Sequence, residues 1–523
     1  MLEGYALEVT LTAANSAAQS WYGYDQGVVS GILISPDFIA TFPQTNKSSI
    51  QGITASCFSL GNLLGCLLAA LYGGRLGRKN TLRVGASISI IGAILQFTAF
   101  SFPQLIVGRV INGVGNGMTS STCGIFQAES CASDRRGRLS VIVVLHNVVF
   151  YCLATWLTLA CSFAHGGWQW RLPLALQCVP FTFLMGLLPL VPESPRWLMM
   201  QDRTDEALEV IRRYRGKNLP SDDPAVQSEY RSIKGALLIE EQSRSSFWTV
   251  LRRQDRSGHL HRLLLGCGTQ LLQQMGGING LNYYFTIILT TNVGLSDLLA
   301  RILTGVNATS YMISSACCFW LIDRFGRRSL MLSGLSLQSL AYIVVAISLG
   351  LLVKAPHALG IVTVSFLFLY YAAFGCTWGM VPWVYQSEVN SLALRTVGSA
   401  AATSTNWLFG FVCTQFTPTG IKNIGYRFYI IFAIFNLTFM FVVYFLYPET
   451  ANRTLEDLDA YFDRDSGHGV IIPVGDKHAK STHRPQEAID AENARVAMAE
   501  NADAKAQLKL SIHHQENAAS LDV

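Results

Sequence analysis

Charge is scarce in this chain. Only 14% of its 523 residues are Asp, Glu, Lys or Arg, against about 25% in a soluble globular domain. With 50% hydrophobic residues and a mean hydropathy of +0.32, the deficit excludes an ordinary soluble protein. Metal-ligand spacing is also lacking. The 12 cysteines are scattered through apolar runs, as at Cys57, Cys66, Cys152 and Cys317–Cys318. They suit neither a metal cluster nor a disulfide framework and read as small packing residues. The histidines, including the tail group His468, His478, His483, His513 and His514, show no ligand spacing either. No Ser–His–Asp set, paired carboxylates or phosphate loop is present. Gly113-Val114-Gly115-Asn116-Gly117 lies in an apolar run with no strand before it, so it reads as small residues for close helix contact. An enzyme, a bound metal or cofactor, and a nucleic-acid partner are therefore not expected. No basic stretch precedes the first apolar run, the first basic residue being Lys47, so no cleavable leader is expected.

What is present is a series of apolar runs long enough to cross a bilayer. Twelve are legible, near 6–33, 50–73, 80–101, 104–128, 139–163, 172–191, 261–290, 298–321, 330–352, 358–387, 396–418 and 427–447. They are called spans 1 to 12. The expected architecture is all-α: a six-span half over 1–200, a polar linker with short helices over 201–258, a second six-span half over 259–462, and a polar tail over 463–523 expected to be disordered. Arg75, Arg78, Lys79 and Arg83 follow span 2, Arg135, Arg136 and Arg138 follow span 4, Arg324, Arg327 and Arg328 follow span 8, and Arg395 follows span 10. The opposite loops hold little beyond Lys47, Lys354 and Lys422. The positive-inside rule then puts both termini and the linker in the cytoplasm, with the plasma membrane as the expected location. Asn46-Lys47-Ser48 is the one sequon in an outside loop.

The halves repeat one another. Gly74 to Lys79 matches Asp323 to Arg328 at an offset of 323 − 74 = 249; Glu129 and Arg136 match Glu388 and Arg395 at 388 − 129 = 259; Pro192-Glu193-Ser194 matches Pro448-Glu449-Thr450 at 448 − 192 = 256. Duplicated halves around a midplane site are the architecture of alternating-access transporters. Two features break the apolar pattern. Asp25 lies within span 1, where a carboxylate costs about 2.5–3.5 kcal/mol to insert. Arg109 in span 4 is its natural partner, and an acid whose pKa follows that Arg and water access can take up and release a proton. The plainer alternative is a static buried ion pair. The second feature is Gln270 to Tyr284 in span 7, which holds three Gln and two Asn. Its amides either join helices or line a cavity for an uncharged ligand rich in hydroxyls.

The ordered motifs are Gly23-Tyr24-Asp25-Gln26-Gly27-Val28-Val29-Ser30-Gly31, Gly108-Arg109, Glu129 with Arg136-Gly137, and Pro192-Glu193-Ser194-Pro195-Arg196-Trp197. The second half adds Gln273-Gln274 with Gly277-Ile278-Asn279, Asp323 to Arg328, Trp378-Gly379 with Pro382-Trp383, and Pro448-Glu449-Thr450 with Leu455-Glu456. On these, over about 20–460, the chain resembles the sugar porter family of the major facilitator superfamily, and within it the fungal hexose transporter-like members. The resemblance implies a monomeric carrier of a monosaccharide, a hexose, by proton symport with alternating access. It implies sugar-hydroxyl ligands at Gln273, Gln274, Asn279, Asn307, Trp383 and Asn406, with Gln177 in span 6 beside them. Proton-coupled members carry an acid and an Arg at the positions of Asp25 and Arg109, whereas facilitators often have Asn for the acid. It also implies a cytoplasmic gate from Arg75, Arg78, Glu129, Arg136, Glu193, Arg196, Asp323, Arg324, Arg327, Glu388, Arg395 and Glu449, with ion pairs across the halves. A facilitative sugar, polyol or quinate porter and a non-transporting sugar sensor stay open as alternatives. The departures are Gly74 for Asp, expected to weaken the lock on that side, Val144 for a span-5 Gln, Phe126 and Ala132 for Tyr and Pro, and Met380 and Ser391 for prolines.

Overall fold

The structure, a computed structural model, describes residues 2–131, 136–216, 220, 223–242, 258–390, 395–453, 455–463, 469–474, 476, 480 and 482. Ala132, Arg135 and Ser391 lie outside them, as do the side chains of Arg136, Arg138 and Arg395 and the five tail histidines. The described residues form no strand. Spans 1 to 6 are Tyr5–Ile32, Ser48–Leu76, Arg78–Phe97, Phe102–Ser130, Arg136–Cys161, and Trp168–Leu176 continuing as Cys178–Leu187. Spans 7 to 12 are His259–Met275 with Ile278–Thr291, Asp297–Phe325, Arg327–Gly350, Pro356–Cys376 with Val381–Val389, Arg395–Ile424, and Arg427–Leu446.

Among the described residues, seven stretches are long and apolar enough to cross a membrane: those of spans 2, 3, 5, 6, 9, 10 and 12. The other five bury polar side chains instead. Span 1 buries Asp25 and Gln26, span 4 Arg109, Asn112 and Asn116, span 7 its amides, span 8 Arg301 and Asn307, and span 11 Asn406, Thr414 and Thr417. A helix whose polar face meets protein rather than lipid need not be apolar all round. These five spans therefore carry much of the polar surface of the bundle interior.

Span 7 is not the single run read from the sequence. It breaks at Gly276–Gly277, where Gly277 has φ +99° and a Cβ would lie 2.4 Å from the Tyr342 hydroxyl. Both the left-handed backbone and the space require glycine there. The carbonyl of Gly276 accepts from Tyr370 Oη at 3.0 Å and from Asn436 Nδ2 at 3.3 Å. Neighbouring spans thus satisfy the backbone that the break sets free, as a low-dielectric interior demands. Span 10 breaks likewise over Thr377–Met380, where Gly379 N–H donates to Phe374 O at 2.8 Å.

Close packing within the first half comes from a glycine stripe. Gly23, Gly27 and Gly31 recur every fourth residue on one face of span 1. A Cβ on them would lie 1.8 Å from Asn147 O, 2.7 Å from Ala154 Cβ and 2.5 Å from Thr158 Cβ, all on span 5. Span 5 therefore lies backbone to backbone on span 1.

At the end carrying the basic loops, the helix Thr204–Arg215 buries Ala207, Val210, Ile211 and Tyr214, and Arg213 O accepts from Gly4 N at 2.7 Å. The expected linker helix is present and ties down the N-terminus. The start of the tail differs from the expected disorder. Ile472 is buried and its N–H donates to Phe445 O at 2.7 Å, while Lys480 Nζ lies 4.6 Å from the Tyr444 ring centroid. Ile472 supplies the apolar anchor that polar composition alone conceals.

The stripe predicts that Gly23→Val lowers stability by about 3 kcal/mol through overpacking, read as a fall in the thermal midpoint of the detergent-purified protein. Gly186→Val, where a Cβ meets nothing within 4 Å, leaves the midpoint near that of the parent.

Candidate functional site

The amides of span 7 divide into two groups. Gln270 donates to Gln386 Oε1 at 3.0 Å, and Asn406 Nδ2 donates to Gln270 Oε1 at 2.6 Å and to Gln273 Oε1 at 2.9 Å. Gln273 Nε2 donates to Trp378 O at 2.6 Å. Gln270, Gln273, Asn406 and Gln386 thus hold spans 7, 10 and 11 together. Of the residues expected to bind the ligand, Gln273 and Asn406 spend their amides on one another in this conformation.

The second group faces the seam between the halves. Asn279 Oδ1 accepts from Gln26 Nε2 at 2.8 Å and from Tyr22 Oη at 3.3 Å, both on span 1. Trp407 packs edge-on against Tyr22, with ring centroids 4.7 Å apart. The Gln274 Oε1 atom is buried and has no hydrogen-bond partner among the described residues. Both amide atoms of Asn307, which is fully buried in span 8, are in the same condition. A buried amide without a partner costs about 1–3 kcal/mol. Trp383 is half-buried in the second part of span 10, and no hydrogen bond among the described residues ties it to the amides.

Span 5 offers no amide at Val144, which packs among apolar side chains. Its share of the seam comes from other residues. Trp156 lies 2.9 Å from where a Gly305 Cβ would be and donates to Thr309 Oγ1 at 3.0 Å, and Tyr151 stands edge-on to Tyr311 with ring centroids 6.1 Å apart. Tyr22, Gln26 and Trp407 were not among the residues expected in the site. Tyr22 and Gln26 did carry a signal, being polar and one helical turn apart in an apolar run. Trp407 carried none beyond its place next to Asn406.

Asp25 and Arg109 meet as expected. Arg109 grips the carboxylate with both guanidinium ends, Nη1 to Oδ1 and Nη2 to Oδ2, each at 3.1 Å. Neither side chain is more than 2% exposed. Arg109 Nη2 also donates to Ala55 O at 3.3 Å. Gln177 was expected on the ligand wall, but it sits here. Its Nε2 donates to Asp25 Oδ1 at 3.4 Å, and its Oε1 accepts from Asn112 Nδ2 at 3.4 Å. The buried carboxylate recruits the nearest amide donor, which places Gln177 with the acid rather than with the ligand amides. Removing one charge of such a pair costs about 3–5 kcal/mol, because the other is left buried without a countercharge.

The motif residues at the basic end form the same cluster twice. In the first half, Arg78 is bidentate to Glu129 at 2.8 and 2.9 Å, and Ser194 Oγ donates to Glu129 Oε2 at 2.7 Å. Glu193 accepts the N–H groups of Arg78 at 3.0 Å, of Lys79 at 3.1 Å and of Ser194 at 2.9 Å. It caps the start of span 3, which favours its charge, while its burial pushes the carboxyl above the usual range. In the second half, Arg327 is bidentate to Glu388 at 2.8 and 3.1 Å, Thr450 Oγ1 donates to Glu388 Oε2 at 2.6 Å, and Glu449 accepts from Arg327 N at 2.8 Å and Arg328 N at 3.1 Å. Both ion pairs join helices of one half; the expected bridge between halves is not among them. Arg75 and Arg324 are exposed and Arg196 is half-buried.

Gly74 removes the acid that Asp323 supplies in the repeat. Asp323 reaches Arg327 at only 3.4 Å with its side chain 77% exposed, a kind of pair worth about 0–1 kcal/mol. In its place the Gly74 carbonyl accepts from Trp197 Nε1 at 2.8 Å.

The family model for sugar (and other) transporters matches residues 9–462. The MFS-type transporter oryC of Aspergillus oryzae is 38% identical, over 98% of this chain and 96% of its own length. The sugar transporter STL1 of Saccharomyces cerevisiae is 34% identical, over 88% of this chain and 82% of its own. Among solved structures, the proton:xylose symporter XylE, with 6-bromo-6-deoxy-D-glucose bound, shares the fold at a TM-score of 0.73 and 23% identity, covering 87% of this chain and 99% of that one.

The two amide groups predict opposite outcomes for similar changes. Asn406→Leu leaves the carbonyl oxygens of Gln270 and Gln273 without donors and destabilises by about 1–3 kcal/mol for each. Asn307→Leu removes an amide that has no partner among the described residues and leaves the thermal midpoint of the ligand-free protein unchanged or raised. Equal losses in both variants would contradict the division.

Proposed function

The chain belongs to the sugar transporter family, with the major facilitator fold, and from that premise we propose that it carries a monosaccharide, a hexose, together with a proton by alternating access. One observation carries the reading of the ligand: buried amide atoms of Gln274 in span 7 and Asn307 in span 8 lack partners among the described residues. They offer donors and acceptors, and no net charge, to a ligand with adjacent hydroxyls. Asn279 and Tyr22 border the seam between the halves, and the half-buried Trp383 offers an indole suited to the apolar face of a pyranose. The hexose analogue bound to XylE is in keeping with such a ligand.

Proton coupling rests on Asp25. With the carboxylate charged, Arg109 is held by two charge-assisted bonds. Protonation weakens the two bonds to Asp25 and leaves Arg109 its bond to Ala55 O and access to water, loosening spans 1 and 4 and changing which side of the membrane the cavity faces. The basic end lies in the cytoplasm of a plasma-membrane protein working as a monomer, with both termini inside. On that orientation the bonds of Ser56 to Gln415 at 2.7 Å and of Ser30 to Thr286 at 3.1 Å join the halves toward the outside. The clusters of Arg78 and Arg327, with Glu193 and Glu449, keep each half rigid at the inner end while the halves rock.

Uptake of labelled glucose in a host lacking its own hexose carriers tests this. The parent should accumulate sugar and lose accumulation with a protonophore, and Asp25→Asn should equilibrate sugar without concentrating it. Uptake indifferent to both treatments refutes the coupling. Gln274→Ala should raise the KM about tenfold, about 1.4 kcal/mol of binding, with the Asp25 dependence intact.

A further inference from the structure

Span 8 carries a buried cation that no step of the proposed cycle uses. Arg301 lies one turn from its start with its side chain only 5% exposed. Nε meets Asp297 Oδ2, one turn earlier on the same helix, at 3.1 Å. Nη1 crosses to the other half and donates to Gly31 O at 3.0 Å. Gly31 stands in the last turn of span 1, where carbonyls run out of intrahelical donors. Leu33 N–H goes to Val29 O and Ser35 N–H to Ile32 O, so neither reaches Gly31. A cation at a helix C-terminus also meets the negative end of the helix dipole. One half of the molecule therefore caps the first helix of the other.

The contact sits within a wider seam. Ser30 Oγ, Thr286 Oγ1 and Thr304 Oγ1 follow one another at 3.1 Å and 3.1 Å across spans 1, 7 and 8. A Cβ on Gly31 would lie 2.5 Å from Thr158 Cβ, which fixes the end of span 1 against span 5 and holds the carbonyl in place. The two partners of Arg301 differ in kind. Gly31 belongs to the opposite half and is lost when the halves part on that side. Asp297 belongs to the same helix and stays.

We propose that Arg301 is the latch that holds the transporter closed toward the outside, bound to Gly31 O in the closed state and retained by Asp297 when that side opens. Breaking the Gly31 contact strands neither group, because water reaches both once the seam parts and Asp297 keeps the guanidinium paired. Arg301 and Asp297 are thus positioning residues that set the balance between the two states in opposite directions. The inference rests on alternating access, but not on the identity of the sugar or on the proton.

Ser56→Cys provides the readout. Ser56 is fully buried in this seam against Gln415, so a membrane-impermeant maleimide applied to intact cells reports opening to the outside. The parent without that cysteine gives the background. In the Ser56→Cys protein, Arg301→Met should speed labelling at least fivefold, Arg301→Lys less, and Asp297→Asn should slow it at least twofold. If Arg301→Met fails to reach the membrane, the Lys and Asn variants still decide the matter by their opposite signs. Labelling unchanged in the Arg301 variants, or quickened by Asp297→Asn as well, overturns the latch. The assay needs no substrate, so a shifted labelling rate alongside absent glucose uptake removes the hexose reading and leaves the latch standing.

Discussion

A charged carboxylate in the apolar depth of a helical bundle is tolerable only if the protein itself replaces the water it has lost. Much of the first half can be understood from that requirement. Asp25 needs Arg109, Arg109 needs the Ala55 carbonyl, and Asp25 draws Gln177, which in turn draws Asn112. Spans 1, 2, 4 and 6 are thereby bound into one polar lattice. The same demand governs the second half in neutral form, where Gln270, Gln273, Gln386 and Asn406 satisfy one another. Among the described residues the demand is left unmet at Gln274 and Asn307, the atoms on which the proposed ligand reading rests.

Rigidity and mobility follow from where these contacts lie. Each half is tied internally by its own Arg–Glu cluster and by close-packed glycines, so it can move as a unit. Between the halves the contacts among the described residues are of neutral groups apart from one guanidinium on one carbonyl: hydroxyl pairs, the bonds of Gln26 and Tyr22 to Asn279, of Trp156 to Thr309 and of Ser56 to Gln415, and a Tyr22–Trp407 edge. Contacts of this sort are individually small and can be exchanged for water. A rocking motion of the kind proposed would break contacts of this sort and leave the Arg78–Glu129 and Arg327–Glu388 pairs within each half intact.

Much of this was legible in the sequence, for physical reasons that differ by residue. The spans follow from bilayer thickness, and the halves from the repeated Arg and Glu spacings. Asp25 and Arg109 stand out because a charge in an apolar run needs a countercharge. The places where the reading fell short involve choices between partners that spacing cannot rank. Gln177 faces the acid rather than the ligand amides because Asp25 is the stronger acceptor. Gln273 is consumed by Trp378 O and Asn406 because the break at Gly276–Gly277 turns the first part of span 7 toward spans 10 and 11. Trp407 had no marker at all, since an aromatic residue in an apolar span is unremarkable until a partner is seen across the seam.

The exchange at Gly74 gives the two halves different sensitivities to their surroundings. The second half keeps an ionic link, Asp323 to Arg327, on an exposed surface. The corresponding place in the first half holds an indole–carbonyl bond from Trp197 to Gly74. Mobile ions screen the former within about 10 Å at 0.1 M salt and leave a neutral hydrogen bond largely alone. Rising ionic strength thus weakens this one exposed pair, worth about 0–1 kcal/mol, and leaves its counterpart in the first half as it was. A protein built from a duplicated plan becomes, at this one position, directional in its response to electrolyte.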